Sequence, residues 1–476
     1  MNPADPILPS ALDARGNGSE TEVVRIDAAG VRDAAGVDAS PGSLLVLVEG
    51  RDVALVRGRD VPYGRLRVLA SGRPGEVDSH PAAAGARRID RPDACVIPGL
   101  VNAHAHLDLT HMGPRPFDHA AGFVSFIGAV LRERHSEPRA IAESVALGVG
   151  MSLAGGVVAV GDIGGIAGGV PSLAPWRTLS LSPLRGVSFL EFLAIGRHEE
   201  RGWDQAAAAL DEAALDGPAG PVTGGIALGL SPHATNTVGL AAYGRAAARA
   251  AAEGMPICTH LAETPEEREF IARGTGPQRA LLERFGAWDD ALFTTIGRGL
   301  TPVAHLEPVL EVLPMLLAHV NDASDADIDI LARHGAAVVY CPRASSYFGA
   351  AEHFGPHRYR DMVAAGIPVV LGTDSVVNLP PGDAGDHAGA EARISTFDDM
   401  RLLAQRDGAD PGLLLRMATT AAAAAIGIDP GLFTFSAGGW LAGLCAVALQ
   451  PAASGPSPLA RALASTTRPE ILLLGK

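Results

Sequence analysis

From Val96 onward, short apolar runs alternate with longer, Ala-rich stretches in which apolar positions recur every three or four residues. The short runs read as strands buried on both faces and the long ones as amphipathic helices. The strands predicted in this way are Leu100–Ala103, Val157–Val160, Gly186–Leu190, Ile226–Leu230, Pro256–Thr259, Met315–Ala318, Ala337–Tyr340 and Pro368–Gly372. Helices are predicted between them, among others at Gly122–Arg134, Trp203–Leu215, Leu240–Glu253, Ala326–His334 and Arg358–Ala365. Eight such repeats predict an α/β fold, a (β/α)8 TIM-type barrel, with a doubly wound open sheet as the alternative. Two further helices follow, Thr396–Arg406 and Pro411–Ile426, the second opened by Pro411 and closed by Gly427.

The chain ends have a different pattern. Residues 22–95 hold short apolar segments broken by Gly, Pro and Asp, and the tail from Phe433 to Leu474 returns to the same style. Neither piece is long enough for a comfortable sheet alone, so the two are expected to share one small composite β-sandwich. The expected organisation is a disordered leader over 1–20, the N-terminal half of the sandwich over 21–97, a barrel over 98–428 and the C-terminal half of the sandwich over 429–476.

Composition narrows the options. The 38 basic against 53 acidic residues give −15, which argues against nucleic acid as a partner. Cys95, Cys258, Cys341 and Cys445 are widely spread and form no Cys-x-x-Cys pair, so they read as buried free thiols. The first twenty residues lack a basic start and an apolar signal core, and a cytoplasmic location is expected. The uncharged run from Ser144 to Gly161 approaches membrane length, but its five glycines mark a helix end, an Ala-Gly-Gly turn and a strand, so no membrane segment is expected. Lys476, the last residue, is the only lysine. An internal lysine serving as Schiff base, phosphate binder or carbamylated metal bridge is thereby excluded.

A barrel places its chemistry where strands end, so the residue closing each apolar run matters most. Strand one ends in His104-Ala-His106, two histidines that alternation puts on one side of the chain. Alone, that pair is open between a metal site and a coincidence on a sheet surface. Strand five ends in His260-Leu-Ala-Glu263, strand six in Ala318-His319 and strand eight in Gly372-Thr-Asp374. Any one of these histidines could be a satisfied core residue. Four polar endings on one rim are hard to explain by packing, because burying several ionisable groups is costly unless they share a metal or hydrogen bonds. Three imidazoles and a carboxylate suit Zn²⁺ first and Fe²⁺ as the alternative, with a position left for water. Lowering the pKa of such a water from about 15.7 to about 7 amounts to roughly 12 kcal/mol, more than a lone side-chain base supplies.

Taken together, Pro98-Gly-Leu-Val-Asn-Ala-His-Ala-His106, His260-Leu-Ala-Glu263, Ala318-His319 and Gly372-Thr-Asp374 resemble the amidohydrolase superfamily over about residues 45–450. The His-x-x-Glu after strand five is similar to its deaminase and chlorohydrolase branch, which includes the aminodeoxyfutalosine and S-adenosylhomocysteine deaminases. The resemblance implies a barrel with a composite sandwich and a single divalent metal held by His104, His106, His260 and Asp374. It implies catalytic roles for Glu263 as proton shuttle, His319 as hydrogen-bond donor to the reacting centre, and Asp374 as acceptor of the water's proton. The lysine count agrees with one metal, since the two-metal branches commonly bridge their ions with a carbamylated lysine.

Substrate contacts are expected from His233, after Leu230-Ser-Pro, and from Arg343 and Ser346 in Cys341-Pro-Arg-Ala-Ser-Ser346. Arg343 could clamp a carboxylate or form a structural salt bridge. Ala344 and Ser345 stand where relatives often carry a Ser-Asn pair. Glu191, ending strand three, could bind a ribose hydroxyl or pair with an arginine. His111 is placed near the pocket entrance, Asp162 is read as satisfying backbone or a histidine, and His305, His353, His357 and His387 are read as loop residues without a role. The expected activity is hydrolytic deamination of a cyclic amidine in a small purine-type nucleoside, with aminodeoxyfutalosine the most specific candidate. The alternatives are an S-adenosylhomocysteine or adenosine-type deaminase, a chlorotriazine-type hydrolase and, in another class, a silent barrel kept as a binding or assembly module. A homodimer is left open.

Overall fold

The computed structural model describes residues 12–13, 21–216, 225–379, 393–451 and 455–476. The expected leader lies outside the described residues apart from Leu12 and Asp13, and His387 lies outside them altogether. Four long strands open the chain: β1 (Thr21–Arg32), β2 (Gly42–Val56), β3 (Arg59–Gly72) and β4 (Arg87–Pro98). Eight follow in the central region: β5 (Leu100–Ala105), β6 (Val157–Gly164), β7 (Arg185–Phe192), β8 (Ile226–Pro232), β9 (Cys258–Leu261), β10 (Leu316–His319), β11 (Ala337–Tyr340) and β12 (Val369–Leu371). β13 (Gly443–Ala448) and β14 (Pro469–Gly475) end it.

β5 to β8 form one parallel four-stranded sheet and β9 to β12 another. Every residue of β5, β6 and β7 is buried, which is why these strands read as unbroken apolar runs: helices cover one face and packed side chains fill the other. Isolated parallel bridges join the two sheets at both seams, Leu230 to Ile257 and Ala234 to His260 on one side, Ala105 to Asp374 on the other. At the second seam Asn102 works as a clasp: its Oδ1 accepts from the Thr373 N–H at 3.0 Å and its Nδ2 donates to the Thr373 hydroxyl at 2.7 Å. The mixed α/β architecture, all eight central strands and the helices observed at Gly122–Glu133 and Leu240–Glu253, predicted at Gly122–Arg134 and Leu240–Glu253, match the sequence reading within a few residues.

The ends of the chain do share one sheet, as their matching patterns implied. Its shape differs from the expected sandwich. Hydrogen bonding runs β2-β1-β4-β13-β14-β3 and then from β3 back to β2, so six strands close on themselves instead of forming two facing sheets. The reason lies in the length of β2 and β3, 15 and 14 residues, whose pairing shifts register at Leu45/Val46 and Glu49/Asp52. Bulges of this kind bend and twist a long hairpin, letting one ribbon serve two sides of a ring. Val24, Ile26, Leu44, Val46, Val68, Val96 and Leu444 fill a core separate from the central one.

A second correction concerns Pro411–Ile426, which is two short helices, Pro411–Met417 and Thr420–Ala425. The Ala418 carbonyl accepts from the Val101 N–H of β5 at 2.8 Å, and the Thr419 hydroxyl bonds back to the Leu415 carbonyl. Diverting those groups breaks the helical ladder where it meets the central sheet. The Ser144 to Gly161 run is, as expected, a helix end (Pro138–Ala154), a Gly155-Gly156 turn and the start of β6. Among the described residues no helix is long and apolar enough to cross a membrane, and all four cysteines are buried and free.

The second seam leaves no spare volume. A methyl group on Gly372 would lie 2.7 Å from Val339 Cγ1, 2.8 Å from His104 Cβ and 3.0 Å from Cys341 Sγ. Gly372→Ala is expected to cost about 1–3 kcal/mol through overpacking and to push the His104 side chain. Urea unfolding monitored by circular dichroism measures it, and an unchanged midpoint would show the seam to be pliable.

Candidate metal centre and active site

β5, β9 and β10 and the turn after β12 deliver the polar endings to one end of the central sheets. Asp374 and His319 have φ of 58° and 74°, and Ala262 and Val320 beside the cluster have 52° and 49°. L-residues avoid this left-handed region at a cost of about 1–2 kcal/mol each. The turned backbone swings each side chain inward at the point where the strand stops. Thr373 and Asp374 both direct their N–H groups at the His104 carbonyl, at 3.1 and 3.0 Å, which ties the two ends of the site together.

Four imidazoles pack against one another. His104 has its ring centre 5.1 Å from His106, 4.9 Å from His260 and 5.4 Å from His319. His106 Nε2 lies 3.2 Å from His260 Nε2 and 3.4 Å from Asp374 Oδ1, and His104 Nε2 is 3.7 Å from the same carboxylate oxygen. His260 Nδ1 donates to the His233 carbonyl at 2.9 Å, so its Nε2 keeps a lone pair aimed into the cluster. Burial drives the imidazoles of His106 and His260 well below their ordinary pKa and that of His319 down to about 3. Burial works against Asp374 as well, but the surrounding imidazoles of His104, His319 and His106 hold its carboxyl below the usual carboxylate range. Asn378 Nδ2 donates to its Oδ2 at 2.5 Å.

Neutral imidazoles and an ionised carboxylate are the states in which these groups bind a metal. The ring nitrogens of His104 and His319 are buried without any hydrogen-bond partner. Such orphans cost roughly 1–3 kcal/mol each unless something else satisfies them. Two donors held about 2.1 Å from one ion at a tetrahedral angle are about 3.4 Å apart, close to the 3.2–3.7 Å separations here. The residues therefore fit a divalent metal. His104, His106 and Asp374 group as donors, and so do His104, His260 and His319, which draws His319 into the same donor cluster.

Glu263 stands beside this cluster with Oε1 3.5 Å from His319 Nε2. Burial, reinforced by the charges of Asp374, Glu267 and Glu266, raises its carboxyl well above the ordinary value, which favours the protonated acid. Its backbone is held by Glu267, whose carboxylate accepts from the Ala262 and Glu263 N–H groups at 3.1 and 2.8 Å. Glu267 and Asn378 carry no distinctive sequence signal. Glu267 could have been suspected as an acid in the first turn of the helix Pro265–Arg273, where exposed N–H groups attract carboxylates.

A cavity of about 90 Å³ opens on this group, lined by His106, Glu191, His233, Glu263, His319 and Asp374, among others. Of the expected substrate residues, His233 and Glu191 are thus brought to the site. His233 Nδ1 pairs with the Thr237 hydroxyl at 2.7 Å while its Nε2 sits 4.0 Å from Glu191 Oε1. Glu191 also pairs with an arginine, Arg134, at 3.5 Å; Arg134 in turn is bound to Asp108 at 2.8 Å. Burial raises the Glu191 carboxyl to about 7 despite that guanidinium, and its Oε1 has no partner.

Arg343 and Ser346 are not brought there. The Arg343 fork is engaged by Asp399, Nε at 3.1 Å and Nη2 at 2.9 Å, and Nη2 also donates to the Ser395 carbonyl. This is the structural salt bridge, and the carboxylate clamp is withdrawn. The Ser346 hydroxyl donates to the Pro342 carbonyl and lines a different cavity, of about 780 Å³. His111 stacks on His135 at 3.6 Å and bonds Ser144 rather than facing the imidazole cavity. Asp162 accepts from the Leu107 N–H and the Ser188 hydroxyl, satisfying backbone as expected. Two histidines read as loop residues have structural places: His305 is buried in the helix Pro302–Leu310, and His357 Nε2 donates to the His319 carbonyl at 2.9 Å.

A family model described as the Amidohydrolase family matches residues 95–450. The aminodeoxyfutalosine deaminase of Deinococcus radiodurans is 33% identical over 333 residues, 65% of this chain and 70% of the relative. A 5-methylthioadenosine/S-adenosylhomocysteine deaminase of Haloarcula marismortui is 28% identical over 379 residues, 76% and 74% of the two chains. Among solved structures, Helicobacter pylori aminofutalosine deaminase has a TM-score of 0.68 at 17% identity, covering 95% of this chain and 98% of that one. An atrazine chlorohydrolase from Arthrobacter aurescens complexed with zinc has a TM-score of 0.64 at 18% identity, covering 95% of each chain.

Two outcomes follow from this geometry. Chelation of the purified protein should lower its thermal midpoint, because an ion present at about 1,000 times its Kd contributes about 4 kcal/mol; calorimetry with and without added Zn²⁺ measures this. Breaking the buried pair with Arg343→Gln should cost about 3–5 kcal/mol, and a near-normal denaturation midpoint would contradict the structural assignment of Arg343.

Proposed function

Because the chain belongs to the amidohydrolase family, we propose that it is a metal-dependent hydrolase that deaminates a purine-type nucleoside and releases ammonia. The observation that carries this reading is a buried carboxyl, Glu263, 3.5 Å from His319 at the edge of the imidazole cluster, where burial favours its acid form. A hydrolase that attacks an amidine carbon needs such an acid, because attack builds charge on the adjacent ring nitrogen. The names of the relatives, aminodeoxyfutalosine deaminase and 5-methylthioadenosine/S-adenosylhomocysteine deaminase, support the same class of reaction. A silent barrel finds no support: His104, His106, His260, His319, Glu263 and Asp374 are all present and all gathered.

In this reading His104, His106, His260 and Asp374 would hold one divalent ion, Zn²⁺ or Fe²⁺. When bound, the ion supplies a water acidified to a pKa of about 7. Asp374, kept ionised by its imidazole surroundings, would be the base that accepts a proton from the attacking water. His319, neutral at physiological pH, presents a hydrogen bond to the charge that grows at the attacked carbon. Glu263 would give its proton to the ring nitrogen, take up the proton of the hydroxyl formed at the attacked carbon and pass it to the departing amine, and regain its own proton from Asp374 as ammonia leaves. His233 Nε2 and Glu191 Oε1 face the same cavity and bind polar edges of the substrate. The two four-stranded sheets are taken as one (β/α)8 barrel over residues 98–428. The small domain is assigned to 21–97 and 429–476.

The test is an ammonia-release screen of the zinc-loaded protein over aminodeoxyfutalosine, S-adenosylhomocysteine, 5-methylthioadenosine, adenosine and a chlorotriazine. Release from a nucleoside, with aminodeoxyfutalosine the first choice, is the expected result; chloride from the triazine alone would replace the reading. Glu263→Gln should retain its metal and lose about 10²–10⁴ in rate. Near wild-type turnover in that variant would sink the acid assignment.

A further inference from the structure

Leu261, Ala262 and Glu263 present three successive carbonyl groups where β9 runs out, and each accepts a hydrogen bond from the segment after β10. The Val320 N–H donates to Leu261 at 2.9 Å and the Asp322 N–H to Ala262 at 3.1 Å. The third donor is a side chain: Asn321 Nδ2 reaches the Glu263 carbonyl at 3.1 Å. Asn321 thus extends the strand ladder by one rung past the point where the two backbones diverge. Its amide is in turn set by Ser345, whose hydroxyl donates to Asn321 Oδ1 at 2.7 Å. An oxygen that accepts from Ser345 leaves the amide nitrogen pointing at Glu263.

Both side chains are buried, Asn321 at 5% exposure and Ser345 at 7%. Ser345 belongs to the short helix Pro342–Tyr347, which is fastened to the helix Thr396–Asp407 by the Arg343–Asp399 pair. A fixed point therefore exists behind the link. Ahead of it, Ala262, His319 and Val320 hold left-handed backbone angles that would relax if the cross-connections were lost. Neither Asn321 nor Ser345 lines the cavity on which the imidazoles open; both line a separate one of about 440 Å³. Their influence on chemistry has to pass through Glu263.

We infer that Asn321 and Ser345 are positioning residues: through the Ser345 hydroxyl, the Asn321 amide and the Glu263 carbonyl they hold the Glu263 carboxyl against His319. The inference rests on the reading of Glu263 as the proton donor. Ser345 stands at one of the two positions where the motif expected a Ser-Asn pair, and it reaches the acid by way of an asparagine from the neighbouring strand end.

The test uses full-length, zinc-loaded protein carrying Ser345→Ala, Ser345→Thr or Asn321→Asp. Asn321→Asp keeps the acceptor for Ser345 and removes the donor to Glu263. Ser345→Ala and Asn321→Asp should lower kcat about 10- to 100-fold, the range that a small misplacement of a catalytic group produces, with KM within about 2-fold and metal content unchanged. Ser345→Thr, which keeps the hydroxyl, should recover most of the rate. Independently of any substrate, hydrogen exchange of the amides of Val320 and Asp322 should quicken about 10-fold or more in the two damaging variants, since local opening sets that rate. Normal kcat together with unchanged exchange overturns the inference, as does a raised KM at normal kcat, which would mean substrate contact. If the unaltered protein releases no ammonia from any nucleoside while the exchange effect holds, the deaminase reading fails and the brace stands.

Discussion

The structure turns on one constraint: a set of buried imidazoles that burial drives toward the neutral form. His106, His260 and His319 are all driven below their ordinary pKa by burial, and the ring nitrogens of His104 and His319 have no partner. Left to themselves, such groups would favour any rearrangement that returned them to water. The surroundings prevent it. Asn102 clasps Thr373, the His104 carbonyl takes two N–H groups from the facing turn, and His233 fixes the tautomer of His260. Each device is backbone-directed, which makes the cluster a property of the closed sheets more than of any one side chain.

That constraint explains where local strain sits. Four of the five non-glycine residues with positive φ among the described residues are Ala262, His319, Val320 and Asp374. A parallel strand continued in extended geometry would send successive side chains to opposite faces. Turning the backbone at the last residue aims the final side chain along the axis instead. The cost, of order 1–2 kcal/mol per residue, is offset by hydrogen bonds that cross between strand ends, such as Val320 N–H to the Leu261 carbonyl.

Much of this was legible in the sequence because parallel strands buried on both faces leave continuous apolar runs, and the residue closing each run stands out by contrast. His104, His106, His260, Glu263, His319 and Asp374 were found in that way, and the structure gathers them. What could not be read shares a physical cause. Arg343 stayed open between a clamp and a structural salt bridge because its partner, Asp399, lies 56 residues on, in a helix whose exposed and buried acids look alike in sequence. Arg134, Asn321 and Asn378 act through contacts between strand-end loops, where no periodicity announces the partner. The six-strand ring escaped prediction because bulges in β2 and β3 decide it, and the apolar pattern of two strands does not say which further strands the bent hairpin will pair with.

The imidazole cluster and the polar wall beside it are held in place by different means. The His104 and Glu263 backbones are fixed by hydrogen bonds with the neighbouring strand ends and with Glu267. The polar wall opposite is built differently. Glu191 is held by a guanidinium that enters from the end of the helix Gly122–Glu133, and Gly165 leaves the room for it: a methyl group there would lie 2.1 Å from both Arg134 Nη2 and Asp108 Oδ2. A carboxyl raised to about 7 next to an arginine is poised between donor and acceptor near neutral pH. Arg134 and Gly165 together therefore set the state of the Glu191 carboxyl, and the Asp108–Arg134–Glu191 chain ties the end of that helix to the polar side of the cavity on which the imidazoles open.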